Sequence, residues 1–231
     1  MEQVPTGTGA GFVGRRQEVG ALLQAWDEAR QGATRVLGVA GGPGIGKTAL
    51  VRRFLQQARP DTVICVSGDE VEATLSWALG SQLTADLPGG EGVSQQPETA
   101  LSAAAALEAG LRGVGRAVVV VDDAHWADPL SMTALRVAVR RLTADPVLIL
   151  LVYQSAGGTA DVLAGTPSPG LDGAWRRIFE SERGGHLSIA GLPAIDLVRL
   201  AVACGHPGLT PHGAARLHEH TGGHPMHVRH L

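Results

Sequence analysis

Lys47 is the only lysine in a chain that carries 19 basic residues, all the others being arginine. It sits in Gly41-Gly42-Pro43-Gly44-Ile45-Gly46-Lys47-Thr48, which matches G-x-x-x-x-G-K-[ST], a phosphate-binding loop. Glycines without a Cβ let such a loop curl so that its backbone N–H groups face phosphate oxygens. The lysine then reaches the β- and γ-phosphates as a compact charge that a wide guanidinium fork does not imitate, and the Thr48 hydroxyl ligates Mg²⁺. From Lys47, Thr48 and Ala49 onward the apolar run ALVRRFL predicts a helix whose positive end faces the same phosphates. A second pair of chemical groups, Asp122 and Asp123, follows the β-branched run Val118-Val-Val-Val121. Asp122 is placed to hold Mg²⁺, with Thr48, and Asp123 to orient or deprotonate an attacking water. The alternative for Asp123 is a solvent-facing cap, since Asp is one carbon shorter than Glu.

These groups need a sheet to hold them. The loop is preceded by the apolar run at 36–40 and followed by the predicted helix, the strand–loop–helix setting that the motif requires. Continuous apolar runs at 116–121 and 146–153 read as strands buried on both faces of a parallel sheet, and 62–67 as a further strand. Weaker strand character at 186–190 follows a short helix at 175–182. Helical spacing is expected at 16–31, closed by Gly32, and at 98–111. It is also expected over 70–87, where Leu75, Leu79, Leu83 and Leu87 recur every fourth residue. Asp128-Pro129 opens another helix as N-cap and first-turn proline. The glycine- and proline-rich stretch 155–174 reads as a long loop. From Leu192 the pattern is helical only, at 194–204 and from Thr210-Pro211 to Thr221. The reading is an α/β nucleotide-binding domain at 12–191 with a parallel sheet flanked by helices. A flexible lead-in (1–11) precedes it and a small helical subdomain (192–231) follows.

The composition narrows the function. A formal net charge of −3 gives no global attraction to nucleic acid, so direct DNA binding is not expected. Aromatic residues make up only 3% of the chain, leaving a core of Ala, Val and Leu. Cys65 and Cys204 stand apart without metal-ligand spacing, read as buried small hydrophobes in a reducing compartment. No run is long enough to span a bilayer and no signal-peptide layout opens the chain, so a cytoplasmic protein without membrane contact is expected. The late histidines (His218, His220, His224, His227, His230) have no recognised metal-ligand spacing and read as a wet helical face.

The series of motifs resembles the AAA-like P-loop fold, and more closely the STAND-class ATPase module of the large ATP-binding regulators of the LuxR family. Phe12-Val13-Gly14-Arg15 is similar to that family's entry motif, which implies that Val13, Gly14 and Arg15 lie near the adenine. Taken alone, Val13-Gly14-Arg15 is equally a turn with a solvated arginine. VVVVDDAHWADP at 118–129 resembles the family's Walker B and the turn after it, and HEHTGGHPMHVRHL at 218–231 its helical G-x-P element, which places Pro225 beside the base. Gln154 stands where the family has an arginine that senses the γ-phosphate. A neutral amide does not neutralise charge, which argues for slow hydrolysis or none. The family continues into a winged helix, helical repeats and a DNA-binding helix-turn-helix, so downstream regulatory and DNA-binding domains, or other protein partners, are the implied partners. The expected function is an ATP- and Mg²⁺-dependent regulatory switch with weak ATPase activity.

Two other functions compete. A small-molecule kinase requires an acceptor pocket and an arginine-bearing lid, and residues 155–174 contain no arginine. An oligomeric AAA ATPase that loads or remodels a partner on DNA requires an arginine finger in trans, for which Arg140-Arg141 or Arg176-Arg177 are candidates.

Overall fold

The computed structural model describes residues 12–88, 97, 99–155 and 171–229. The expected lead-in and most of the two long loops lie outside these residues. Five strands, β1 (Arg35–Gly41), β2 (Thr62–Ser67), β3 (Ala117–Asp122), β4 (Val147–Gln154) and β5 (Gly184–Ile189), form one parallel sheet in the order β2-β3-β4-β1-β5. The three central strands are buried almost end to end, which is why their sequences show no alternation.

Helices cover both faces. On one side α1 (Arg16–Arg30) and α2 (Lys47–Ala58) pack through Leu22, Trp26, Leu50 and Phe54 onto Leu37, Val39, Val118, Val120 and Leu148. On the other, α3 (Ala78–Ala85), α4 (Ala100–Val114), α5 (Pro129–Arg141) and α6 (Gly173–Phe179) cover the alternate residues of the same strands, from Val36 to Tyr153. This is the parallel sheet flanked by helices that the sequence predicts. Among the described residues no helix is long and apolar enough to cross a membrane.

Three local expectations need correction. The predicted helix over 70–87 is broken: a single 3₁₀ turn spans Glu72–Thr74, and α3 starts only at Ala78. Trp77 adopts φ 69°, and its ring lies where a Cβ on Gly80 would sit. The α3 start is capped from another element, for the Asp128 carboxylate accepts the backbone N–H groups of Trp77 (2.9 Å) and Leu79 (3.1 Å). Leu75 consequently leaves the stripe and is 55% exposed, whereas Leu79, Leu83 and Leu87 are buried. Cys65 is exposed rather than buried, because β2 is an edge strand and the helices α1 and α2 do not reach the face that bears Val63 and Cys65. The helix α6 begins two residues early because Asp172 caps it, accepting from the N–H groups of Ala174 (3.0 Å) and Trp175 (3.3 Å).

Beyond β5, α7 (Ala194–Ala203), α8 (Pro211–Thr221) and α9 (Pro225–Arg229) pack around Leu192, Leu197, Leu200, Ala214 and Val228. Two backbone segments are pressed together where this cluster meets the sheet. The Leu192 N–H donates to the Gly223 carbonyl (2.8 Å), and a Cβ on Gly191 would overlap the Gly222 carbonyl oxygen. Gly191→Ala is therefore expected to lower stability by about 2 kcal/mol or more, measured by urea unfolding, since neither neighbour is a flexible side chain. A loss below about 0.5 kcal/mol would show that the two segments separate freely.

Candidate functional site

The loop at residues 42–46 joins β1 to α2 at the C-terminal edge of the sheet, where parallel sheets place ligands. Its conformation depends on glycine: Gly44 and Gly46 take φ 68° and 101°, and Gly46 forms the left-handed start of α2. A Cβ on Gly42 or Gly46 would meet nothing within 4 Å, so open space adjoins the loop there. Gly41 is the opposite case, since a Cβ would lie 2.8 Å from the Ile189 carbonyl oxygen and 2.9 Å from the Ile45 side chain.

Lys47 is 7% exposed, and its Nζ donates to the Gly41 and Gly42 carbonyls, both at 2.9 Å. Burial holds its pKa below the usual lysine value, against the opposing pull of Asp123 and Asp122. The ammonium is thus drawn into the loop and faces the two acids across it. One residue on, the Thr48 hydroxyl donates to Asp122 Oδ2 at 2.9 Å, and Asp122 Oδ1 accepts the Asp123 N–H at 3.0 Å. A hydroxyl and a carboxylate at hydrogen-bond distance form the hard oxygen pair that suits Mg²⁺. The residues present fit the cation.

Asp123 adopts φ 45°, a left-handed conformation that Asp tolerates better than most side chains. Gly68, at the end of β2, makes room for it: a Cβ there would stand 2.5 Å from the Asp123 carbonyl oxygen. The Asp123 side chain is 45% exposed, with Oδ1 3.9 Å from Nδ1 of the buried His125. Burial lowers the pKa of His125, favouring the neutral ring, which lies beside Trp126 at 5.1 Å between centroids. The paired strands set Gln154 opposite Gly41, one strand over from the mouth of the loop.

The segment at residues 13–15 meets the loop through Arg15. Gly14 has φ 69°, and a Cβ on it would lie 2.5 Å from Asp196 Oδ2, so the chain passes tightly against α7. Arg15 also takes a positive φ, and its guanidinium bonds to Glu18 (3.0 Å), to the Ile45 carbonyl (3.4 Å) and to the Ala190 carbonyl. It clamps the phosphate loop to the end of β5. Val13, Gly14, Arg15, Leu192 and Asp196 line a cavity of about 950 Å³ beside this clamp, and none of Gly41–Thr48, Asp122 or Asp123 lines it.

Pro225 opens α9 above the loop. The contacts to the loop come from its neighbours: His224 Nε2 lies 2.8 Å from the Pro43 carbonyl oxygen, and the Met226 side chain would lie 2.7 Å from a Cβ on Gly44. Nothing in the sequence separated His224 from the other late histidines, and Met226 had no chemical signature. Pro43 and Ile45 take part through their backbone carbonyls. Among the described residues no group of three His, Cys, Asp or Glu is placed to hold a metal ion.

The chain resembles several solved proteins in fold. A RuvB variant from Thermotoga maritima superposes with a TM-score of 0.56 at 16% identity, over 95% of this chain and 60% of that one. The Cdc6p protein of Pyrobaculum aerophilum gives a TM-score of 0.58 at 16% identity, over 88% of this chain and 50% of that one. A second Thermotoga RuvB variant gives 0.53 at 16% identity, covering 95% and 61%. The chain thus spans roughly half to three-fifths of the length of these neighbours, and at such identity the likeness shows the fold alone. No curated relative matches. The sequence of residues 11–151 matches the AAA ATPase domain. That match takes in the phosphate loop, both acids and β1 to the body of β4, and on this ground the chain belongs to the AAA ATPase domain family.

Proposed function

We propose that the chain is an ATP-binding regulatory switch, the nucleotide module of a LuxR-type transcriptional regulator, in which hydrolysis is slow and serves to reset the state. The observation that carries this reading is the contact of the helical cluster with the phosphate loop, His224 on the Pro43 carbonyl and Met226 against Gly44. A group that adds or removes charge at the loop acts directly on the start of α9, which is the coupling a switch needs.

In this reading the loop amides and Lys47 hold the β- and γ-phosphates, and Thr48 with Asp122 holds Mg²⁺. The metal supplies charge neutralisation on the phosphate oxygens. The cavity lined by Val13 to Arg15, joined to the loop through the Arg15 bond to the Ile45 carbonyl, takes the nucleoside. Asp123 orients the attacking water, with its carboxylate half open to solvent and fixed by the left-handed turn. Gln154, opposite Gly41, contributes an amide in place of a cation, so the transferring phosphoryl group lacks one source of charge stabilisation. The expected turnover is on the order of 10⁻³ s⁻¹, the scale of unassisted P-loop enzymes.

Asp123→Asn tests the chemical role. The variant should bind Mg-ATP within about threefold of the parent and lose at least about 90% of its phosphate release, because the amide no longer accepts a proton. Unchanged phosphate release would remove Asp123 from the mechanism. Replacing His224 and Met226 together by Ala tests the switch. The pair should bring the ATP and ADP affinities closer together while leaving the loop able to bind both, as measured with a fluorescent nucleotide displaced by each.

A further inference from the structure

At the edge of the sheet opposite the phosphate loop lies a second cavity, of about 440 Å³, between the start of β1, the last turns of α5, and α6 with the turn that follows it. Arg136, Arg140, Arg177 and Arg183 line it together with Ser181, and no carboxylate among the described residues does. Val36, Val139, Ala174 and Ile178 supply an apolar floor. Four guanidinium groups around so small a space repel one another unless something negative answers them.

Two of the four are answered. Arg136 pairs with Asp172 through bonds of 2.7 and 2.8 Å, and Arg183 donates to the Leu142 carbonyl. The side chains of Arg140 and Arg177 make no hydrogen bond or ion pair with any described residue. Their immediate neighbours do: Arg141 bonds to Glu108 at 3.2 Å and Arg176 to Glu180 at 3.0 Å. In each Arg-Arg pair, then, one guanidinium is neutralised on the outer surface and the other is left at the cavity.

We propose that this cavity binds a phosphorylated small molecule, with Arg140 and Arg177 gripping its phosphoryl group. The planar guanidinium fork matches phosphate oxygens two at a time, while the Ser181 hydroxyl at the rim is committed to the Ile178 carbonyl at 2.7 Å. The volume lies at the lower end of the range for small-ligand sites and suits a sugar phosphate, whose carbon body meets the apolar floor. Arg140 and Arg177 line one concavity, which suits a compact phosphoryl group better than an extended nucleic-acid backbone. The site is distinct from the nucleotide site: β1 separates them by seven residues, about 20 Å at ~3.3 Å per residue. The proposal stands whether or not the nucleotide site turns ATP over.

The test titrates ¹⁵N-labelled protein, kept saturated with Mg-ADP, with ribose 5-phosphate, inorganic phosphate and ribose in separate experiments. Saturable shifts are expected at the amides of Val36, Ala174, Ile178 and Ser181 with both phosphates and not with ribose. Tighter binding of ribose 5-phosphate than of inorganic phosphate would identify an organic phosphate as the ligand, and equal binding would identify phosphate itself. Replacing Arg140 and Arg177 by Gln should raise the apparent Kd about tenfold or more. Both side chains lie at exposed positions, so the remaining amide spectrum should be unchanged and each single variant should show part of the effect. The same shifts in the double variant, or their reproduction by sodium chloride at equal ionic strength, would overturn the proposal. Shifts confined to Gly42–Thr48 would do so too.

Discussion

Lys47→Ala is expected to raise the Kd for Mg-ATP at least about 100-fold, a loss of about 3 kcal/mol, which is the usual effect of truncating one partner of a desolvated charge pair. The side chain is 7% exposed, and its Nζ is already drawn to the carbonyls of Gly41 and Gly42. The chain has no other lysine, Gln154 is neutral, and the Arg15 guanidinium is committed to Glu18 and to the Ile45 and Ala190 carbonyls. Lys47→Arg should fail nearly as badly, because a guanidinium is too wide for the space between two carbonyls of one tight loop. The fold should survive both changes: burial already lowers the pKa of this lysine, so its charge is held in place at a cost to stability. Displacement of a fluorescent nucleotide measures the first effect and thermal melting the second. Binding within threefold of the parent would mean that phosphates are held elsewhere.

Asp128→Ala should cost about 4 kcal/mol of stability, the largest loss expected for a single polar substitution among the described residues. The carboxylate is 1% exposed and accepts three backbone N–H groups. Oδ1 takes those of Trp77 and Ser131, both at 2.9 Å, and Oδ2 takes that of Leu79 at 3.1 Å. Removing it leaves three buried donors at two helix starts without an acceptor, each worth ~1–3 kcal/mol. Asp128→Asn should lie between, because the amide NH₂ would face one donor it cannot accept. Urea unfolding with a fixed m-value checks the size, and a loss below about 1 kcal/mol would show that water replaces the carboxylate.

That pair of predictions also marks where sequence reasoning succeeds and where it stops. The phosphate loop was legible because glycine spacing, a lone lysine and the flanking strand and helix all state the same local requirement. The strands β3 and β4 were legible because burial on both faces leaves no alternation to misread. Asp128 was legible as the cap of α5 but not as the cap of α3, a contact 49 to 51 residues away in sequence. For the same reason the leucine spacing over 70–87 suggested one helix where the chain makes a turn and a shorter helix. Cys65 was misplaced because edge and central strands differ in their neighbours rather than in their own residues. His224 and Met226 reach the phosphate loop only through the path of the whole helical cluster, and no local pattern encodes that path.

The central claim is that the helical cluster responds to the γ-phosphate. Backbone hydrogen exchange in α9 and at His224 tests it most directly, comparing protein saturated with Mg-ADP and with a slowly hydrolysed Mg-ATP analogue. The account predicts a difference in protection of at least about fivefold between the two states at the amides of residues 224 and 226–229, with Lys47→Ala showing none. Identical exchange in both nucleotide states, in protein shown to bind each, would contradict it.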